Sequence, residues 1–317
     1  MAVALPVSAQ TKDEAAPANG NIDPNLTLPV QTTPMVTVAD FTKDPAWIEA
    51  FAYTFTPLSE VEPSVDATTK DFFVTTLQPF ITNNNYEGAR KALTDSINES
   101  GAKTNAMIYF TLGAVDQQLA AALADKPAQK AQMKAFIDEA ISSYSKAIAG
   151  FPNYQRAHRN LGLIYMNSDA REDMNNALPH LQKAIMLGAR DASTYAMLGF
   201  CQFTIGNLYA AETSLKNALM FDSTNKDVYQ LLAQTLLLQN RYKEARAMFL
   251  ELLAKDQNND QWWMALVNTY LAEGDLDNCV SCLEVLRHMK KAETQSLFLL
   301  GNIYTTRNLF DLATEVY

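Results

Sequence analysis

Basic residues, cysteine and long apolar runs are all scarce in this 317-residue chain, and each scarcity removes a class of function. Only 25 Lys and Arg face 35 Asp and Glu, which gives a formal net charge of −10 and a pI near 4.8. That balance repels phosphate backbones and anionic lipid, so neither nucleic acid nor a charged membrane surface is expected as the main partner. No run approaches the ~18 uninterrupted apolar residues that a membrane-crossing helix needs, so no span is expected. Three cysteines are too few for a disulfide framework. Cys279 and Cys282 form a C-x-x-C, but the hydrophobic pattern sets both inside a helix, where packing is the expected role. A redox or zinc site would want a helix N-terminus or a second ligand pair. The three histidines, His158, His180 and His288, supply no metal-ligand spacing, so no metal or other cofactor is expected. Nor is there a Gly-rich phosphate loop, an H-E-x-x-H pair or a nucleophile beside a base, and the carboxylates are scattered. The chain therefore reads as something other than an enzyme.

What the chain does have is a phrase that returns every 34 residues from 191 to 317. It runs Tyr195-Ala-Met-Leu198-Gly199, Tyr229-Gln-Leu-Leu232-Ala233, Trp263-Met-Ala-Leu266-Val267 and Leu297-Phe-Leu-Leu300-Gly301. Twelve residues after each small residue comes an answering one: Ala211, Ala245, Cys279 and Ala313. Between them stand Gly206, Asn240, Gly274 and Asn308, residue types that suit a positive φ at a helix C-terminus. Leu215, Phe249 and Leu283 then recur as large apolar residues. Small residues facing each other let two antiparallel helices approach closely, and the large ones fill the space beside that contact.

This period and these columns resemble the tetratricopeptide repeat, a helix-turn-helix unit of about 34 residues. The resemblance implies an all-α fold, a right-handed superhelical solenoid of antiparallel helix pairs. About seven units are expected, with the last, ending at Tyr317, incomplete. Neither helix of such a unit buries its apolar face alone, so the units must stack.

In chain order, residues 1–43 read as a signal-peptide remnant, with the small residues Val7-Ser8-Ala9, followed by a disordered tether rich in Pro, Asn and Thr. Residues 44–66 read as an N-terminal capping helix with Trp47, Ile48, Phe51 and Phe55, and then a linker. The solenoid is expected over 67–317, with irregular repeats in 67–190 and regular ones in 191–317. Pro79 should bend or shorten the first helix. In the second repeat fifteen extra residues separate Gly113 from Ala140, which predicts that both helices are about two turns longer than usual. In the third, three extra residues are expected in the polar turn Asn167 to Asn175.

Function is expected on the concave surface lined by the first helices. By helical geometry the residues flanking each Leu-small pair point there: Arg156, Arg159 and Met166, then Phe200 and Phe203, Gln230 and Gln234, Met264 and Asn268, Phe298 and Asn302. Amides can hold an extended backbone, while Phe and Met offer adaptable apolar pockets. Relatives that clamp acidic chaperone tails carry Asn in the Asn268 and Asn302 column, but also a Lys one turn earlier. Met264 and Phe298 stand there instead, so that activity is not expected. The reading is thus a non-catalytic scaffold that binds a peptide or protein segment. With the leader-like start, it points to a bacterial periplasm or outer envelope and to envelope assembly; a cytoplasmic adaptor is the alternative location. A second functional reading is the recognition arm of a longer enzyme or export channel continuing past residue 317. Leu309, Phe310 and Leu312 in the last unit could drive a homodimer.

Overall fold

The structure, a computed structural model, describes residues 61–167 and 171–317. The leader-like start, the tether and the greater part of the expected capping helix, with Trp47, Ile48, Phe51 and Phe55, lie outside the described residues. Cα packing divides the described residues into two compact units, 61–252 and 253–317, and each is taken by itself below.

All regular structure among the described residues is helical. The first unit opens with α1 (Ala67–Asp71), a π-helical stretch (Phe72–Leu77) and α2 (Gln78–Thr82), followed by α3 (Tyr86–Ser100). Three helix pairs come next: α4 (Ala106–Ala121) with α5 (Lys130–Gly150), α6 (Gln155–Met166) with α7 (Arg171–Met186), and α8 (Ala192–Ile205) with α9 (Leu208–Phe221). Then come α10 (Lys226–Leu238) and α11 (Tyr242–Lys255), within whose last turn the boundary between the units falls. The second unit contains α12 (Asp260–Glu273), α13 (Leu276–His288), α14 (Thr294–Thr306) and α15 (Phe310–Val316).

Local chemistry sets the ends of these helices. Asp66, Asn85, Asn105, Asp191, Asn225, Asn259 and Asp275 each accept a backbone N–H from the first turn of the helix that follows. Such caps satisfy donors that have no partner inside the helix. At the turns, Gly206 (φ 90°), Asn240 (φ 61°), Gly274 (φ 75°) and Asn308 (φ 61°) all take the left-handed conformation that the Gly/Asn column predicts.

The small-residue column works by contact. A Cβ on Gly199 would lie 2.8 Å from Leu215, and one on Gly162 would lie 2.7 Å from Leu181. Both leucines are fully buried, as are Ala177, Ala211 and Ala245 on the second helices. In the second unit Cys279 and Cys282 are fully buried within α13, and burial pushes the Cys279 thiol up to about 11. They pack in the core, as the hydrophobic pattern expects.

Two details differ from expectation, in the second and third repeats, and at Pro79 the helix continues. The turn ahead of it widens, so that the Gln78 N–H reaches back to the Phe73 carbonyl, and a helix loosened this way tolerates the missing proline donor. In the second repeat the added length is shared unequally: α4 has 16 residues and α5 has 21, against 14 for α8 and 14 for α9, and the rest forms the connection carrying Pro127. The Pro127 ring is best accommodated outside an α-helix, which keeps that segment from joining α4. In the third repeat α7 starts at Arg171, so the added residues extend the second helix rather than the turn. Asp173, in its first turn, favours a helix N-terminus there.

Candidate functional site

The expected binding residues lie on the first helices of the repeats, and beside Arg156 in the first unit runs an extended stretch of the chain. Residues 61–65 run, without helical structure, past the starts of α4 and α6. The Val61 carbonyl accepts the Gln155 N–H at 3.1 Å, and the Ser64 carbonyl accepts Asn105 Nδ2 at 3.0 Å. Asn105 also caps α4, because its Oδ1 takes the Met107 N–H. Between these contacts Glu62 and Arg156 form a two-pronged pair, with Nε–Oε1 and Nη2–Oε2 both 2.8 Å, and Pro63 is buried.

The Arg156 guanidinium rests on an aromatic base. Its Cζ lies 4.9 Å from the Phe110 ring centre and 5.9 Å from that of Tyr154, and these two rings are 4.9 Å apart. A guanidinium held over aromatic faces keeps its charge and offers a planar fork to a carboxylate. Here one guanidinium meets the Glu62 carboxylate while Gln155 and Asn105 meet backbone carbonyls of the same extended stretch.

One turn along α6, Arg159 is committed to the next repeat. It donates to Thr194 Oγ1 at 2.9 Å and to Ser193 Oγ at 3.2 Å, and lies 3.8 Å from Asp191, the cap of α8. Met166 and Phe200 pack against one cluster around Met174, Leu181 and Cys201, so both serve the packing between repeats. Phe203, Gln230 and Gln234 are half-buried on α8 and α10.

In the second unit Met264 is half-buried and its sulfur accepts a 3.6 Å contact from Ser296 Oγ, while Asn268 is half-buried beside it on α12. Phe298 is 55% exposed with its ring 5.7 Å from that of Tyr317, and Asn302 accepts the Tyr317 hydroxyl at 2.8 Å. These two are brought together by Tyr317, whose ring also covers Gly301. Leu309, Phe310 and Leu312 are exposed.

Sequence reasoning missed two participants. Phe110 stands two residues before Leu112, in the same column as Arg159, Gln230, Met264 and Phe298, so the repeat register alone points to it. The 61–65 strand has a weaker signal, the Glu62-Pro63 step that favours extended chain. The structure also joins His158 and His180, far apart in sequence, with Nδ1 to Nδ1 at 3.0 Å. His158 Nε2 faces the Pro152 carbonyl at 3.1 Å and must carry the proton there, so His158 Nδ1 accepts from His180. Burial, followed by the neighbouring His158, lowers His180 to about 4, and burial lowers His158 as well. No group of three metal-ligating side chains occurs among the described residues.

Compared with known proteins, residues 206–268 and 236–303 match the family model described as "Tetratricopeptide repeat". No curated protein matches the chain. Among solved structures, YrrB, described as a TPR protein with an unusual peptide-binding site, aligns with a TM-score of 0.54 at 17% identity, over 67% of this chain and 98% of that one. A tetratricopeptide repeat protein from Parabacteroides merdae aligns with a TM-score of 0.50 at 15% identity, over 79% of this chain and 91% of that one. MamA aligns at 20% identity with a TM-score of 0.47, over 56% of this chain and 92% of that one. Residues 206–303 are thus similar to the tetratricopeptide repeat, and the all-helical fold is shared with YrrB and the Parabacteroides merdae protein.

Proposed function

We propose that the chain is a non-catalytic scaffold that holds an extended protein segment on its first-helix face, in a bacterial envelope. The observation that carries this reading is the 61–65 strand. A face that accepts backbone carbonyls through Gln155 and Asn105, and a carboxylate through Arg156, already performs the chemistry of segment binding. Main-chain contacts of this kind give affinity, while side-chain pockets give selectivity. The half-buried amides Gln230, Gln234 and Asn268 extend the same polar chemistry within each unit. YrrB's description as a peptide binder supports the reading by analogy of fold, which alone does not fix function. The envelope location rests on the leader-like residues 1–10.

The test is crosslinking capture from envelope and cytosolic fractions of the source organism, with the wild-type chain and a Gln234→Ala/Asn268→Ala variant as bait. One protein recovered from the envelope by the wild type, and lost with a variant whose helical content is unchanged, is the expected result. Equal recovery by both baits would sink the assignment of this face, and recovery from cytosol alone would sink the location.

A further inference from the structure

The start of α6 differs from the other first-helix starts of its unit in what caps it. Asn105, Asp191 and Asn225 begin α4, α8 and α10 by accepting a first-turn N–H, whereas Tyr154 holds that place before α6 and makes no such bond. First-turn donors have no partner inside their own helix. Here the Gln155 N–H is met from a distant part of the chain, by the Val61 carbonyl at 3.1 Å. Asn105 offers a second donor on α4. Its Oδ1 is occupied by the Met107 N–H, which leaves Nδ2 to donate, and Nδ2 meets the Ser64 carbonyl at 3.0 Å.

Between these donors stands a cation placed for a carboxylate. Arg156 lies over the Phe110 and Tyr154 rings and meets both oxygens of Glu62, yet its side chain is 51% exposed, so the pair is open to a competitor. The next residue, Pro63, is buried. Proline suits that place because it brings no N–H that would need a partner there. A further group is left over. Tyr154 is fully buried and its hydroxyl has no hydrogen-bond partner among the described residues, although the charges that bear on it are those of Arg156 and Glu62. Buried polar groups are rarely left this way, so the corner holds more polar capacity than residues 61–65 use.

We infer that Asn105, Gln155, Arg156 and the Tyr154 hydroxyl form a recognition site for an acidic residue followed by proline on an extended chain, and that residues 61–65 are its internal occupant. The partner is a protein segment of that pattern: a backbone carbonyl, an acidic residue, a proline and a second carbonyl, in the order that Val61 to Ser64 display. Such a segment can displace the internal one because an exposed ion pair holds weakly, and an oxygen within reach of Tyr154 favours the newcomer. This rests on the segment-binding reading above, and adds which chemistry is read and what covers it.

The probe is acetyl-Val-Glu-Pro-Ser-Val-amide, the sequence of residues 61–65, titrated into the full chain while the Gln155 amide is followed by NMR. In the wild type the internal segment competes, so Glu62→Ala is expected to bind the peptide about fivefold more tightly, the factor to which an exposed pair of about 1 kcal/mol converts. Peptides carrying Glu62→Gln or Pro63→Ala should each bind that chain several-fold more weakly than the parent peptide, a comparison made on one folded protein. Equal affinity of the parent peptide for both chains, or a Gln155 signal that moves in neither, would overturn the proposal. So would a Glu62→Gln peptide that binds as well as the parent. A Gln155 signal that shifts on dilution of the protein alone would also overturn it, because the occupant would then come from a second copy. If the peptide fails while capture of a protein still depends on Gln234 and Asn268, the scaffold reading stands and the acidic-proline site alone falls.

Discussion

The approach of α8 to α9 depends on Gly199 and Leu215, and their coupling can be measured. A methyl on Gly199 would sit 2.8 Å from Leu215 Cγ and Cδ2 and 3.3 Å from its backbone nitrogen. Gly→Ala inside a helix gains about 1 kcal/mol of propensity, while overpacking a filled interior costs about 1–3 kcal/mol. Gly199→Ala alone should therefore destabilise by about 1 kcal/mol. Leu215, 0% exposed, should cost about 3–4 kcal/mol when cut to Ala, since both the transferred surface and a residual cavity count. In that background the clash is gone, and Gly199→Ala should become stabilising by somewhat under 1 kcal/mol. The sign reversal is the prediction, with an interaction energy of about 2 kcal/mol in the double-mutant cycle. Urea unfolding followed by far-UV circular dichroism is the assay. Because repeat arrays need not unfold in one step, the four curves should be fitted to a nearest-neighbour scheme. If Gly199→Ala destabilises equally in both backgrounds, the glycine is not there to admit Leu215, and the packing argument fails.

Two further outcomes follow from buried groups. Asp116, 1% exposed, meets Arg90 Nε at 2.8 Å, but its Oδ2 has no hydrogen-bond partner among the described residues, and burial raises its carboxyl to about 6 despite Arg90. A folded pKa above the usual 3.8 contributes stability that is complete below about pH 4 and lost as pH rises through 6. At roughly 1.4 kcal/mol per unit the loss is on the order of 2–3 kcal/mol. His180, lowered to about 4, acts with the opposite sign in part of that window. The check is therefore the wild-type curve minus that of Asp116→Asn from pH 4 to 7; a flat difference would refute it. Cys201, Cys279 and Cys282 are all buried with thiols raised by burial, so an aromatic disulfide reagent should react with none of them until denaturant exposes them. Rapid labelling of Cys279 in the native chain would contradict its place in the core.

The repeat was legible because its columns report backbone needs. Gly206, Asn240, Gly274 and Asn308 stand where φ turns positive, and Gly162 and Gly199 where a leucine leaves no room for a Cβ. Insertions were located but not apportioned. Residue spacing gives the excess in the second and third repeats, but helix ends depend on local competition between Pro127, Asp173 and the neighbouring turns. The candidate face was legible as a list of positions, not as contacts. Arg159 and Phe200 belong to columns that point outward on a lone helix, and only the next repeat shows that their atoms are already engaged. The 61–65 strand escaped because extended chain has no period that a helical register can reveal.

Asp191 begins α8 by accepting the Thr194 N–H, and the hydroxyl of the same threonine accepts Arg159 from α6. The first turn of one repeat is thus built from atoms that also fasten it to the repeat before. Such a junction does not fray by halves: releasing the turn releases the fastening. Under a pulling force, or during synthesis, the third and fourth repeats should then come apart or assemble as one mechanical element, and the weakest joints of the array should be sought elsewhere.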